Sequence, residues 1–140
     1  MMMGGRLRAC WRAGVLAIGA LALAGCFAPA PPGPASLSVG PNPAGFPTLG
    51  PPYNPMPKDT VTVTNTGGHT AIDVMVNGVG VYSVPSSNCS TLAPGASCQA
   101  QIQFCPSTSG TYDNTLTVTG TDATTGASLQ GTTQLMGNAT

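Results

Sequence analysis

The sequence predicts an all-β, immunoglobulin-like sandwich of seven strands behind a cleaved export signal and a short proline-rich tether. Three observations point there. Polar–apolar alternation with a period of two recurs in short segments from residue 35 onward. Gly, Pro and Asn punctuate those segments at short intervals, as in an antiparallel sandwich. The composition also disfavours helix. The 140 residues include 18 Thr, 10 Ser, 19 Gly and 14 Pro, with no Glu, and Thr, Gly and Pro are poor residues for helix interiors.

The first 26 residues carry most of the positive charge. Arg6, Arg8 and Arg12 form a basic start, and residues 13–24 are a run of 12 apolar or small side chains. As a helix that run spans about 18 Å, too short for a hydrocarbon core of about 30 Å. A basic start, a short apolar run and small residues before a cleavage point make the secretory pattern. Leu23-Ala24-Gly25-Cys26 then resembles the bacterial lipoprotein box. The resemblance implies cleavage before Cys26, a diacylglycerol thioether on its sulfur and acylation of the new amine. A thiol suits this role because it is readily activated near neutral pH. Anchoring strength grows by about 0.8 kcal/mol per buried CH₂. Inner-membrane lipoproteins usually resemble a pattern with Asp after the cysteine. Phe27 stands there, which points to the outer membrane in a cell that has one.

The chain then divides into residues 26–34, the lipidated cysteine and tether, and residues 35–140, the sandwich. Four prolines in residues 27–34 favour an extended spacer. After Cys26, Lys58 stands against Asp59, Asp73, Asp113 and Asp122, a net charge of −3. That excludes the clustered basic surface required for nucleic acid. It also excludes a basic patch for anionic membranes. The membrane is therefore reached through lipid on Cys26.

Each strand follows from its pattern. Residues 35–39 put Leu37 and Val39 on one face. Residues 40–57 are proline-rich and irregular, with Phe46 and Leu49 apolar enough to dip into a core. In residues 60–66, Val61 and Val63 point inward and threonines outward. Residues 71–76 place Ile72, Val74 and Val76 together, and Asn77-Gly78 reads as a two-residue hairpin turn into residues 79–84. Residues 97–104 send Cys98, Ala100, Ile102 and Phe104 inward. Tyr112, Leu116 and Val118 share a parity in residues 111–120, and Leu129 and Leu135 do so in residues 128–136. The expected core is Val61, Val63, Ile72, Val74, Ile102, Phe104, Leu116 and Val118.

Five segments recur in a familiar order: Thr62-Val63-Thr64-Asn65-Thr66-Gly67, Leu92-Ala93-Pro94-Gly95-Ala96-Ser97-Cys98, Phe104-Cys105-Pro106, Gly110-Thr111-Tyr112 and Leu116-Thr117-Val118-Thr119-Gly120. Together they resemble the immunoglobulin-fold domains of the abnormal-spindle/Hydin type, called choice-of-anchor D in bacterial surface proteins. The residues have physical sense. Asn65-Thr66-Gly67-Gly68 supplies a tight turn. Pro94-Gly95 fits the centre of a type II turn. Pro106 ends a strand because it has no N–H for the ladder. Gly110-x-Tyr112 resembles a tyrosine corner, whose hydroxyl bonds back to nearby backbone. Cys105 and the prolines of residues 51–57 depart from the pattern.

Three cysteines remain in the domain. Cys98 and Cys105 would lie seven residues apart along one strand, about 23 Å, too far for a bridge whose Cα atoms lie within about 7 Å. Cys89 and Cys98 flank the Pro94-Gly95 turn and are within reach, and an exported domain can oxidise them. Cys105 is left outward, as a free thiol or a competitor for Cys89. His69, the only histidine, is expected to be solvent-exposed in its turn, without core contacts. Three scattered cysteines and one histidine do not form a zinc site. No nucleophile elbow, carboxylate pair or phosphate loop is present. The sequence therefore predicts no catalytic activity, no cofactor and no metal. The function expected is a lipid-anchored binding or structural module of the cell envelope with a protein partner, through a sheet edge or loops. An accessory subunit of a secretion, pilus or surface-assembly system is the alternative.

Overall fold

The computed structural model describes residues 32–140, and there the alternating segments become strands. The expected export signal and Cys26 lie outside the described residues. The strands are β1 (Leu37–Gly40), β2 (Ala44–Gly45), β3 (Lys58–Asn65), β4 (Ala71–Asn77), β5 (Tyr82–Ser87), β6 (Ser97–Phe104), β7 (Gly110–Asp122) and β8 (Ser128–Ala139). They form two four-stranded sheets, ordered β1-β3-β6-β5 and β2-β8-β7-β4. The architecture is an immunoglobulin-like sandwich. It has eight strands rather than the expected seven, because the two residues of β2 pair in parallel with β8.

Register explains the layers. Val61 faces Ala100 and Val63 faces Cys98 across β3 and β6. Thr115, Thr117, Thr119 and Thr121 lie opposite Gln134, Thr132, Gln130 and Ser128 across β7 and β8. Inward positions carry the apolar side chains, and the outer faces carry Thr, Ser and Gln. Val61, Val63, Ile102, Phe104, Leu116, Val118 and Leu135 are completely buried. Burial of each such side chain contributes about 1.5–3 kcal/mol. Phe46, Tyr82, Phe104 and Tyr112 build an aromatic cluster, with ring centroids 5.2–5.9 Å apart.

Two expectations are corrected here. Ile72 is only half-buried, while Ala71 and Val74 are buried. The cause is a bulge: the register with β7 shifts between Ile72 and Met75, and Asp73 takes φ 53°. One extra residue inverts the alternation. The Asn77-Gly78 hairpin is also absent, since β4 and β5 belong to different sheets. The chain crosses between them and reverses one step later. There Val79 and Tyr82 exchange hydrogen bonds of 2.9 Å in both directions, around Gly80 at φ 56°.

The proline-rich stretch carries the chain from the first sheet to the second. The Thr133 hydroxyl donates to the Pro41 carbonyl at 2.6 Å, and the Gln134 N–H donates to the Asn42 side chain at 3.1 Å. The chain then runs along β8. The Phe46 N–H donates to the Met136 carbonyl, the Leu49 N–H to the Asn138 carbonyl and the Thr140 N–H to the Leu49 carbonyl, at 2.9–3.0 Å. This brings Phe46 into the core, as its sequence predicts.

Candidate functional site

The polar residues converge at one end of the sandwich. Asn65, the last residue of β3, is fully buried. Its side-chain oxygen accepts the N–H groups of Ser36 at 3.3 Å and Gly67 at 3.0 Å. Its amide donates to the His69 carbonyl at 2.7 Å and the Leu92 carbonyl at 2.9 Å. All four hydrogen-bonding positions are thus used, as a buried amide requires. The sequence placed Asn65 in a turn; its role in joining that turn to the segments at Ser36 and Leu92 depends on tertiary approach.

Asp122, the last residue of β7, is the second convergence. Its carboxylate accepts the Ala35 N–H at 2.9 Å and the Thr124 and Thr125 N–H groups at 2.8 and 3.0 Å. His69 Nδ1 lies 3.0 and 3.2 Å from its two oxygens. Burial would raise the carboxyl, but these hydrogen bonds outweigh it and hold the group well below the ordinary aspartate range. His69 is therefore not the freely exposed turn residue expected: its side chain is 18% exposed and bound to a buried carboxylate. The cause is the return of β7 beside the β3–β4 turn, 53 residues later in the chain.

The segment leading into β1 lies against the same end. The Gly68 N–H donates to the Gly33 carbonyl at 3.0 Å, and the Thr66 N–H to the Ser36 carbonyl at 2.8 Å. A Cβ on Gly67 would clash with the backbone of Pro34, Ala35 and Ser36. One on Gly68 would meet the Pro32 side chain at 2.6 Å and the Gly33 N at 2.8 Å. The glycine pair is thus required by the close approach of the passing chain.

Cys89 and Cys98 are joined, with Cα atoms 5.1 Å apart. Cys105 is a free, half-exposed thiol, whose sulfur lies 3.6 Å from the Ser83 hydroxyl. The Tyr112 hydroxyl donates to the Thr108 carbonyl at 3.0 Å, the expected tyrosine-corner bond. The Tyr82 hydroxyl donates to the Tyr112 carbonyl at 2.6 Å. Burial, with the Asp113 carboxylate adding to it, pushes the Tyr82 hydroxyl up to about 12. Among the described residues, no three His, Cys, Asp or Glu side chains are grouped as metal ligands.

The sheet edges are blunted. β1 and β2 are four and two residues long. β5 contains Pro85 and an irregular register between Ser83 and Ser86. β4 is covered where Ala71 and Leu92 exchange backbone hydrogen bonds and the Val74 N–H donates to Ser90. Short, proline-bearing and covered edges resist strand addition. A shallow groove of 470 Å³ lies on the second sheet between Asp73, Thr119, Thr121, Ser128 and Gln130.

No protein-family model and no curated protein matches the chain. Solved structures do. The VesB protease of Vibrio cholerae matches 74% of the chain at 20% identity with a TM-score of 0.56, and the match covers 31% of VesB. PapD-like domain 7 of human CEP192, an ASH / PapD-like domain, matches 91% of the chain at 14% identity with a TM-score of 0.56, over 98% of its own length. The secreted serine protease VesC of Vibrio cholerae matches 74% at 19% identity with a TM-score of 0.47, over 23% of its length. The chain thus spans under a third of either protease. At these identities the likeness shows the fold alone. The expectation of no catalytic activity is nevertheless overturned by the match to VesB, because a fold of this kind occurs within a protease. Catalytic motifs reside in side chains, whereas a fold can be shared by chains with different chemistry.

Proposed function

We propose that this chain is a lipid-anchored immunoglobulin-like module of the cell envelope, held by Cys26 and offering its loops to a protein partner. The observation that carries the reading is Leu23-Ala24-Gly25-Cys26 at the end of a 12-residue apolar run, nine positions before Ala35. The bond between Cys89 and Cys98 supports export, since disulfides persist in oxidising compartments. The abnormal-spindle/Hydin-type motifs support a binding or structural module, and Phe27 favours the outer membrane. Lys58 is the only cation after Cys26, which disfavours nucleic acid as the partner. The blunted edges favour loop contacts over lent strands, so the accessory-subunit alternative receives less support.

The test is Cys26→Ser in the native cell. The wild-type chain should begin at Cys26 by intact mass, carry acyl chains and partition into detergent. The variant should lose the acyl mass and leave the membrane fraction. Equal processing and equal membrane retention in the variant would refute the anchor.

A further inference from the structure

We infer that the domain stands with one defined end on the lipid surface: the end formed by the loops at residues 66–70, 93–96 and 123–127. The inference rests on the anchor proposed at Cys26 and adds an orientation to it. Four contacts fix where the chain leaves the domain. The Gly33 carbonyl accepts from Gly68 and the Ser36 carbonyl from Thr66, the Ser36 N–H donates to Asn65, and the Ala35 N–H donates to Asp122. Pro32 packs so closely on Gly68 that a methyl group there would collide with it. The root of the tether is therefore part of the fold, and six steps of sequence separate Cys26 from Pro32.

Reach then decides the orientation. Six residues span at most about 20 Å. β7, with 13 residues, runs about 40 Å along the sandwich. Its Asp122 end lies at the root and its Gly110 end at the far pole, where the loops at 50–57, 78–81 and 105–109 gather. The tether can bring the near loops to the bilayer, but it is too short to bring the far pole there. Charge is divided between the two ends. Asp59, Asp113 and Lys58 lie towards the far pole, while the exposed Asp73 lies beside the root, in the bulge that follows the Ile72–Thr121 pair. The near loops carry no exposed carboxylate, because Asp122 is buried and bonded. Reach, and not charge, selects the near end, because Asp73 stands three residues from the loop at residues 66–70. The far pole is then the surface left open to a partner.

The experiment uses the full lipidated chain in vesicles of phosphatidylethanolamine and phosphatidylglycerol with a headgroup-nitroxide lipid. With Cys105→Ser as background, Thr124→Cys at the near end, Thr132→Cys on the outer face of β8 and Asn54→Cys at the far pole each receive a fluorophore. Quenching at position 124 should exceed that at 132 and 54 by several-fold. Adding Gly68→Ala, which displaces Pro32 and Gly33, should shrink that contrast while the melt stays cooperative. Equal quenching at all three positions in chains that float with the vesicles would overturn the orientation and leave the anchor standing. Stronger quenching at 132 would mean the domain lies on its side, which also overturns it. A chain that fails to float would refute the anchor itself, and the orientation with it.

Discussion

Asp122 accepts the backbone N–H of Ala35 at 2.9 Å across 87 positions of the sequence. That bond joins the first residues of the domain to the end of its longest strand. It recruits His69, which the sequence assigned to solvent. Replacing His69 with Ala therefore removes a hydrogen bond to a buried carboxylate, an interaction with a measurable effect on stability. His69→Ala should melt below the wild type, and Thr66→Ala, at an exposed position, should melt close to it. Identical melts for the two variants would refute the role given to the pair.

The same carboxylate sets an acid limit. Its folded-state pKa lies below the unfolded value of about 3.9, so ionisation favours the folded state. The stabilisation is complete above the unfolded value and is lost as pH falls through the folded one. Melting temperature should hold near neutrality and drop below about pH 4. In Asp122→Asn the melt should start lower at pH 7, and the gap from wild type should narrow on acidification. A constant gap from pH 7 to pH 2.5 would contradict the assignment.

Asn65→Ala should cost about 2–3 kcal/mol, because it removes a satisfied buried amide and leaves its former partners without it. Denaturant unfolding reads this as a lowered midpoint with an unchanged slope. A loss below about 0.5 kcal/mol, the range of ordinary surface changes, would mean that water takes the place of the amide.

Phe104→Ala removes a ring that touches Phe46, Tyr82 and Tyr112. The expected cost is about 3–5 kcal/mol, enough to unfold a domain of ordinary stability. Circular dichroism of the variant, with Phe104→Leu as the milder companion, decides the point. Native melting of Phe104→Ala would show that the cluster is not central.

Reduction of the bond between Cys89 and Cys98, nine residues apart, should lower stability by about 2–3 kcal/mol. Peptide mapping without reduction should recover these two cysteines linked and Cys105 free. A map linking Cys89 to Cys105 would contradict the structure.

The sequence by itself determined the strands and their inward faces. Alternation at Val61 and Val63, Cys98 to Phe104, and Leu116 and Val118 is local, because side-chain parity follows from the extended backbone. The turn at Pro94-Gly95, the tyrosine corner at Tyr112 and the reach between Cys89 and Cys98 are equally short-range. The tertiary structure decided what depends on approach between distant segments. The Asp73 bulge moved Ile72 out of the core. The crossing from β4 to β5 replaced the Asn77-Gly78 hairpin. Asn65, Asp122 and His69 became a joined, buried set because residues far apart in the chain meet at one end. A polar side chain's burial depends on which donors the fold brings to it, and short-range alternation carries no record of those partners.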